Sequence, residues 1–281
     1  MNPPTETLPA SILQNWSISR NFKSLFEQGG ETFHLINGLR FFSFVWILVF
    51  HTVYIYGLLT GKELFYELSD SAPPWLWWIW NADKAVDLFF VISGFLISII
   101  LFKELEKTGQ ISLKRFYFRR YLRLTPIYAV IVLVYWLSQG RNYEWVWTNI
   151  LYLNNFLPVD KTALHWTWTL AVEEQFYLVL PLILGAIYRK TTRPFINVLI
   201  WMLIASLLIR LGVIYFYQEI WNADYREMLS AEAVYPAFYT KLYDNLLTRY
   251  GPFVCGAIAA YGYCFKQDEL RTWLTAAPIK S

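Results

Sequence analysis

The chain has 281 residues, of which 56% are hydrophobic and 20% aromatic but only 16% charged. Soluble domains carry about a quarter charged residues, so this composition excludes an ordinary soluble domain and predicts an all-α, polytopic helical membrane protein. The net charge of +3 is too small to call for a nucleic-acid partner, and the placement of the positive charges matters more than their sum.

Residues 1–35 are mixed and polar, with Pro3, Pro4, Glu6 and Gln14. They contain no short apolar stretch ending in a small-residue cleavage site. They read as a cytoplasmic tail, and the first spanning helix is expected to serve as the membrane signal. Six candidate spans follow within a membrane domain over residues 36–265, at 41–59, 86–102, 125–137, 170–188, 195–217 and 250–265. The third is short and its helix is expected to begin earlier, inside "YFRRYLR". The Trp-rich 75–80 reads as interfacial. Residues 145–158 contain Asn149, Asn154 and Asn155, which argues against a lipid-facing span, so the segment reads as interfacial or re-entrant. Residues 266–281 form a C-terminal tail. Cys255 and Cys264 stand nine apart in one helix, on opposite faces and about 13 Å apart along the axis, and cannot pair. No CxxC or Cys/His cluster exists, so no metal site is expected.

Charge sets the orientation. The loop after span two carries Lys103, Lys107, Lys114, Arg115, Arg119, Arg120 and Arg123. The loop after span four carries Arg189, Lys190 and Arg193, whereas the loop after span one has only Lys62. The positive-inside rule then places the N-terminus in the cytoplasm and loops 60–80, 139–169 and 218–248 outside. This parity requires that residues 145–158 do not cross.

Ionisable groups inside spans rarely face lipid, and by default mark a functional site. Arg40 and His51 are eleven residues apart, which puts them on one helix face about 16 Å apart along the axis. Histidine can take and return a proton near neutral pH. The plainer reading is that Arg40 snorkels and His51 sits at the outer interface. Asp87, near the outer end of span two, is either an interfacial charge or an anchor for a network to His51. Ser93-Gly94 at mid-span reads as close helix packing. Arg115, Arg119 and Arg123 share one face, with Arg120 beside them. Residue type alone favours headgroup contact for this cluster, while the planar guanidinium fork also suits phosphate. Glu173 and Glu174, with Gln175 behind them, stand at the start of an apolar span. They could cap a helix N-terminus or hold an imidazole in one tautomer. Arg249 opens the sixth span, followed by Gly251, Gly256 and Gly262, which read as tight packing.

Four stretches in order, "NGLRFF…H", "VDLFFVISGFLIS", "FRRYLRLTPIY" and "WTLAVEEQFYLVLPLIL", resemble the membrane-bound acyltransferase-3 family. The resemblance covers residues 35–190 well and 240–265 more loosely. "TRYGPFVCGA" is similar to the branch that includes nose-resistant-to-fluoxetine proteins, and "LAVEEQFYL" looks like bacterial members. The resemblance implies an integral membrane O-acyltransferase. It would move an acyl group, usually acetyl, from cytoplasmic acyl-CoA to a hydroxyl of an acceptor, often a glycan or lipid-linked sugar. Acyl-CoA is then a donor substrate, with no permanently bound cofactor. The family's Arg and His fall on Arg40 and His51, its Arg-x-x-Arg on Arg120 and Arg123, and its Glu-Glu-Gln on Glu173, Glu174 and Gln175. His51 is expected to act as general base or acyl carrier, with Glu173 or Glu174 orienting it. Arg120 and Arg123 are expected to hold donor phosphates, with Arg40 drawing the donor inward. Asp87, Gln175 and Arg249 complete the expected binding residues. A bacterial inner membrane is the expected location. The family has about ten spans against six counted here, so its C-terminal helices are expected to be missing. A small-molecule or lipid transporter, or an inactive membrane scaffold, is the alternative.

Overall fold

The computed structural model describes residues 31–188, 193–224, 227–228, 234–269 and 272. Most of the expected N-terminal and C-terminal tails, together with Arg189 and Lys190, lie outside these. The described residues form helices, turns and connecting segments, with no strand. The helices are α1 (Glu31–Thr60), α2 (Lys62–Ser71), α3 (Asp83–Thr108), α4 (Leu113–Leu137), α5 (Trp147–Ile150), α6 (Trp168–Ile187), α7 (Arg193–Phe216), α8 (Gln218–Asn222), α9 (Tyr235–Ala237), α10 (Leu246–Arg249) and α11 (Gly251–Phe265). A π-helical turn, Phe238–Tyr243, precedes α10.

Among the described residues five helices are long and apolar enough to cross a membrane: α1, α3, α4, α6 and α7. The protein is an integral membrane protein. The expected sixth span is shorter than the others, because α11 has only 15 residues, about 22 Å of helix. Arg249 does not open it. That residue ends the separate helix α10, which Asn245 caps by accepting from the Leu247 N–H at 3.0 Å. The third span is longer than its apolar core suggests. α4 is continuous from Leu113, so Arg115, Arg119, Arg120 and Arg123 all sit on helix rather than loop.

The contacts fix the directions. Phe90 meets both Trp168 and Phe253, and Phe102 meets Phe265, so α3, α6 and α11 run parallel. Tyr117 donates to the Leu178 carbonyl at 2.8 Å, and Tyr250 to the Met202 carbonyl at 2.9 Å. With the Phe102–Phe195 stack, these contacts set α4 and α7 antiparallel to that trio. The connection from Leu137 to Trp168 therefore starts and ends at the same end of the bundle, and residues 145–158 do not cross. Asn149, Asn154 and Asn155 are fully buried there, and the NH2 group of each finds an acceptor, as buried amides require. Asn149 Nδ2 donates to Thr167 Oγ1 at 3.1 Å.

The tightest pairing is α3 on α11. A Cβ on Gly94 would lie 2.1 Å from the Phe253 carbonyl oxygen, and one on Gly256 would lie 2.0 Å from the Val91 carbonyl oxygen. The two glycines let the backbones touch, as small residues do between membrane helices. Around this seam packs the main apolar core, including Phe102, Phe253, Leu180, Leu184, Phe195 and Leu199. By contrast α1 is thinly covered, with Phe41, Phe44 and Leu48 exposed.

Candidate acyl-donor pocket and neighbouring polar clusters

Three arginines, one of them 80 or more residues upstream of the other two, come together. Arg40 of α1 and Arg120 and Arg123 of α4 line one pocket of about 210 Å³, closed by Ser93, Leu96, Ile97, Ile99 and Ile100 of α3 and Tyr177 of α6. Arg120 and Arg123 reach it together because they are three residues apart on one helix face. Arg123 is exposed and Arg40 half-buried, and neither has an ion-pair partner among the described residues. Lys103, Lys107, Lys114, Arg115 and Arg119 lie toward the same end of the bundle, where α3 ends at the left-handed Gly109. A positive field of this kind favours an anionic ligand.

Arg120 is held differently. Its Nη2 lies 3.5 Å from Glu174 Oε1, and its guanidinium carbon sits 3.4 Å from the Tyr177 ring centroid. Its Nε is buried without a hydrogen-bond partner. Glu173 accepts from Ser93 Oγ at 2.9 Å and from the Tyr177 hydroxyl. The Glu173–Tyr177 contact follows from i, i+4 spacing on α6. Both carboxylates lie in the second turn of α6, which starts at Trp168. They therefore do not cap its N-terminus. Nor do they touch an imidazole: their partners are Ser93, Tyr177 and Arg120. Gln175 makes a reciprocal amide pair with Asn155, at 2.7 and 3.1 Å, and also donates to the Tyr152 carbonyl at 2.6 Å. It pins the 138–167 connection onto α6 rather than lining the pocket.

His51 is exposed on α1 and does not line the pocket. Its Nδ1 lies 2.9 Å from the Ile47 carbonyl oxygen. A carbonyl can only accept, so this contact requires an Nδ1–H and leaves Nε2 with the basic lone pair in the neutral ring.

A second polar cluster is sealed. Arg249 Nη2 lies 3.2 Å from Asp87 Oδ1, with the Arg249 side chain only 3% exposed. Asp87 thus anchors Arg249, not His51. The guanidinium carbon of Arg249 lies 5.3 Å from the Trp168 ring, 5.1 Å from Tyr243 and 6.0 Å from Phe90, an aromatic box of the kind that stabilises a desolvated cation. Nearby, Asp244 is buried and its Oδ1 has no hydrogen-bond partner. Burial pushes its carboxyl up to about 8, against the pull of its own backbone hydrogen bond and of Arg249. Sequence reading missed Ser93 and Tyr177 as site residues, and it missed Asp244 altogether. Cys255 and Cys264 are free thiols.

A family model described as an acyltransferase domain matches residues 33–277. The chain is 29% identical over 260 residues to nose resistant to fluoxetine protein 6 of Caenorhabditis elegans, covering 80% of this chain and 31% of that protein. It is 34% identical over 139 residues to the peptidoglycan O-acetyltransferase OatA of Listeria monocytogenes, covering 42% of this chain and 22% of that protein. The chain spans less than a third of the length of either relative. No solved structure matches it.

Proposed function

Because the chain belongs to the acyltransferase-3 family, we propose that it transfers an acyl group, acetyl in the simplest case, from cytoplasmic acyl-CoA to a hydroxyl of an extracytoplasmic carbohydrate. The observation that supports this reading is the shared pocket of Arg40, Arg120 and Arg123. Coenzyme A carries several phosphate charges, and guanidinium groups bind phosphate through paired charge-assisted hydrogen bonds. Arg40 and Arg123, which have no acidic partner among the described residues, are the ligands this chemistry favours. Arg120 is braced by Glu174 and Tyr177 and shapes the pocket wall. In this reading the basic end of the bundle faces the cytoplasm, so the N-terminus does too. The membrane is the cell membrane of a bacterium, in line with the Listeria relative.

His51 supplies the base. Its Nε2 takes the proton of the acceptor hydroxyl as the oxygen attacks the acyl carbonyl, a role suited to the basic lone pair of a neutral imidazole. Glu173 and Glu174 act at the donor pocket rather than on the imidazole. The test is steady-state release of coenzyme A thiol by the purified protein with acetyl-CoA and a sugar acceptor. His51→Ala is expected to lose about 100-fold or more in turnover while still inserting and folding. Wild-type turnover in that variant would refute the base assignment.

A further inference from the structure

The donor pocket and His51 are separate: the arginines, Ser93 and Tyr177 line one cavity, and His51 does not. Acyl transfer then needs a group at the pocket that can receive the acyl chain, and the pocket wall contains one. Several helical serines and threonines in this protein satisfy their hydroxyls on their own helix. Ser43 donates to the Leu39 carbonyl at 2.9 Å and Thr52 to the Leu48 carbonyl at 2.8 Å, the usual i−4 pattern. Ser93 departs from it. Its hydroxyl reaches across to α6 and donates to Glu173 Oε1 at 2.9 Å. Glu173 is in turn fixed by the Tyr177 hydroxyl, and the Tyr177 ring carries Arg120 on its face. A hydroxyl within hydrogen-bond reach of a base that a third group orients is the arrangement of an activated nucleophile. Arg120, which lines the same pocket as Ser93, adds a cation for a developing oxyanion.

We infer that Ser93 is the first acyl carrier, with Glu173 its general base and Tyr177 a positioning residue for Glu173. This rests on the acyl-CoA reading above. Ser93 Oγ attacks the thioester carbonyl and a C–O bond forms. Its proton passes to Glu173, the C–S bond breaks, and coenzyme A leaves as the thiolate. In the second half the acceptor oxygen attacks the Ser93 ester and the C–O bond to Ser93 breaks. Glu173 returns its proton to Ser93 Oγ, and the acceptor proton passes through water to His51, which stands outside the pocket, and then to solvent. No oxidant or further reactant is required.

The test uses the purified full chain with radiolabelled acetyl-CoA and no acceptor, quenched in detergent, with peptide mapping of the label. The wild type is expected to hold acetyl on Ser93. Ser93→Ala should lose the label and release thiol about 100-fold or more slowly. Ser93→Cys, close in size, should hold acetyl as a thioester that neutral hydroxylamine removes, which guards against a folding artefact. His51→Ala should still be labelled, because the first half does not use His51. Label on another residue, or full-rate transfer by Ser93→Ala, overturns the serine assignment and leaves the acyl-CoA reading standing. Neither thiol release nor label in the wild type overturns both.

Discussion

Two arginine clusters occupy the same apolar bundle and differ in exposure and in how far the fold supplies their counter-ions. Arg249 is sealed, paired with Asp87 at 3.2 Å and boxed by Trp168, Tyr243 and Phe90. Arg40 and Arg123 line an accessible pocket with no acid to neutralise them among the described residues. A cation with its counter-ion supplied by the fold is part of the scaffold. One left without a counter-ion at a pocket is positioned to take it from a ligand. Sequence reading grouped Arg40, Arg120, Arg123 and Arg249 as binding residues, and their surroundings separate them.

Breaking the sealed pair should cost most. Arg249→Leu leaves Asp87, itself about 24% exposed, without its nearest counter-ion, and removing one partner of a largely buried ion pair costs up to about 3–5 kcal/mol. A large drop in the thermal midpoint in detergent is the expected readout. Gln175→Ala comes next. It removes the donor to the Asn155 side-chain oxygen, in a residue fully buried against α6 whose NH2 keeps the Asp244 carbonyl, and an unsatisfied buried polar group costs about 1–3 kcal/mol. Proteolysis within residues 138–167 should rise with it. Arg123→Ala belongs to the other cluster. Exposed and unpaired, it should shift stability by less than about 0.5 kcal/mol.

Asp244 gives the smallest shift in acid, and the shift grows into a gain. Its folded carboxyl titrates at about 8, far above an ordinary carboxylate near about 4. Between those values the folded state holds a proton that the unfolded state has lost, so stability falls as pH rises through the window. Asp244→Asn should match the parent near about pH 4 and then stay flat as the parent declines toward about pH 8. Parallel midpoint-versus-pH curves would contradict the burial of an unpaired carboxyl.

Much of the fold was legible because apolar runs of spanning length have few other uses. The α1, α3, α6 and α7 spans follow from them directly. The start of α4 was obscured because Arg115, Arg119, Arg120 and Arg123 dilute its hydropathy, although they sit on regular helix. α2 was hidden in a loop by Lys62, Glu63, Glu67 and Asp70. Its buried Phe65 packs edge-on to Phe50 and Tyr54. At the site, Ser93-Gly94 was read as one packing element. That holds for Gly94, which touches the α11 backbone, and fails for Ser93, whose partner lies 80 residues away on α6. Tyr177 could have been found from its i+4 spacing to Glu173. The pairing of the carboxylates with Arg120 and Ser93, rather than with His51, depends on which helices neighbour α6, and no local pattern encodes that.

The central claim is that the unpaired arginines form the donor site and the sealed one does not. The direct measurement is equilibrium binding of coenzyme A to wild type and Arg123→Ala, with thermal midpoints recorded alongside. Loss of a charge-assisted contact of about 1.5–3 kcal/mol predicts affinity weakened by about 10-fold or more at an unchanged midpoint. Equal affinity in the two proteins, or no binding by the wild type, would contradict it.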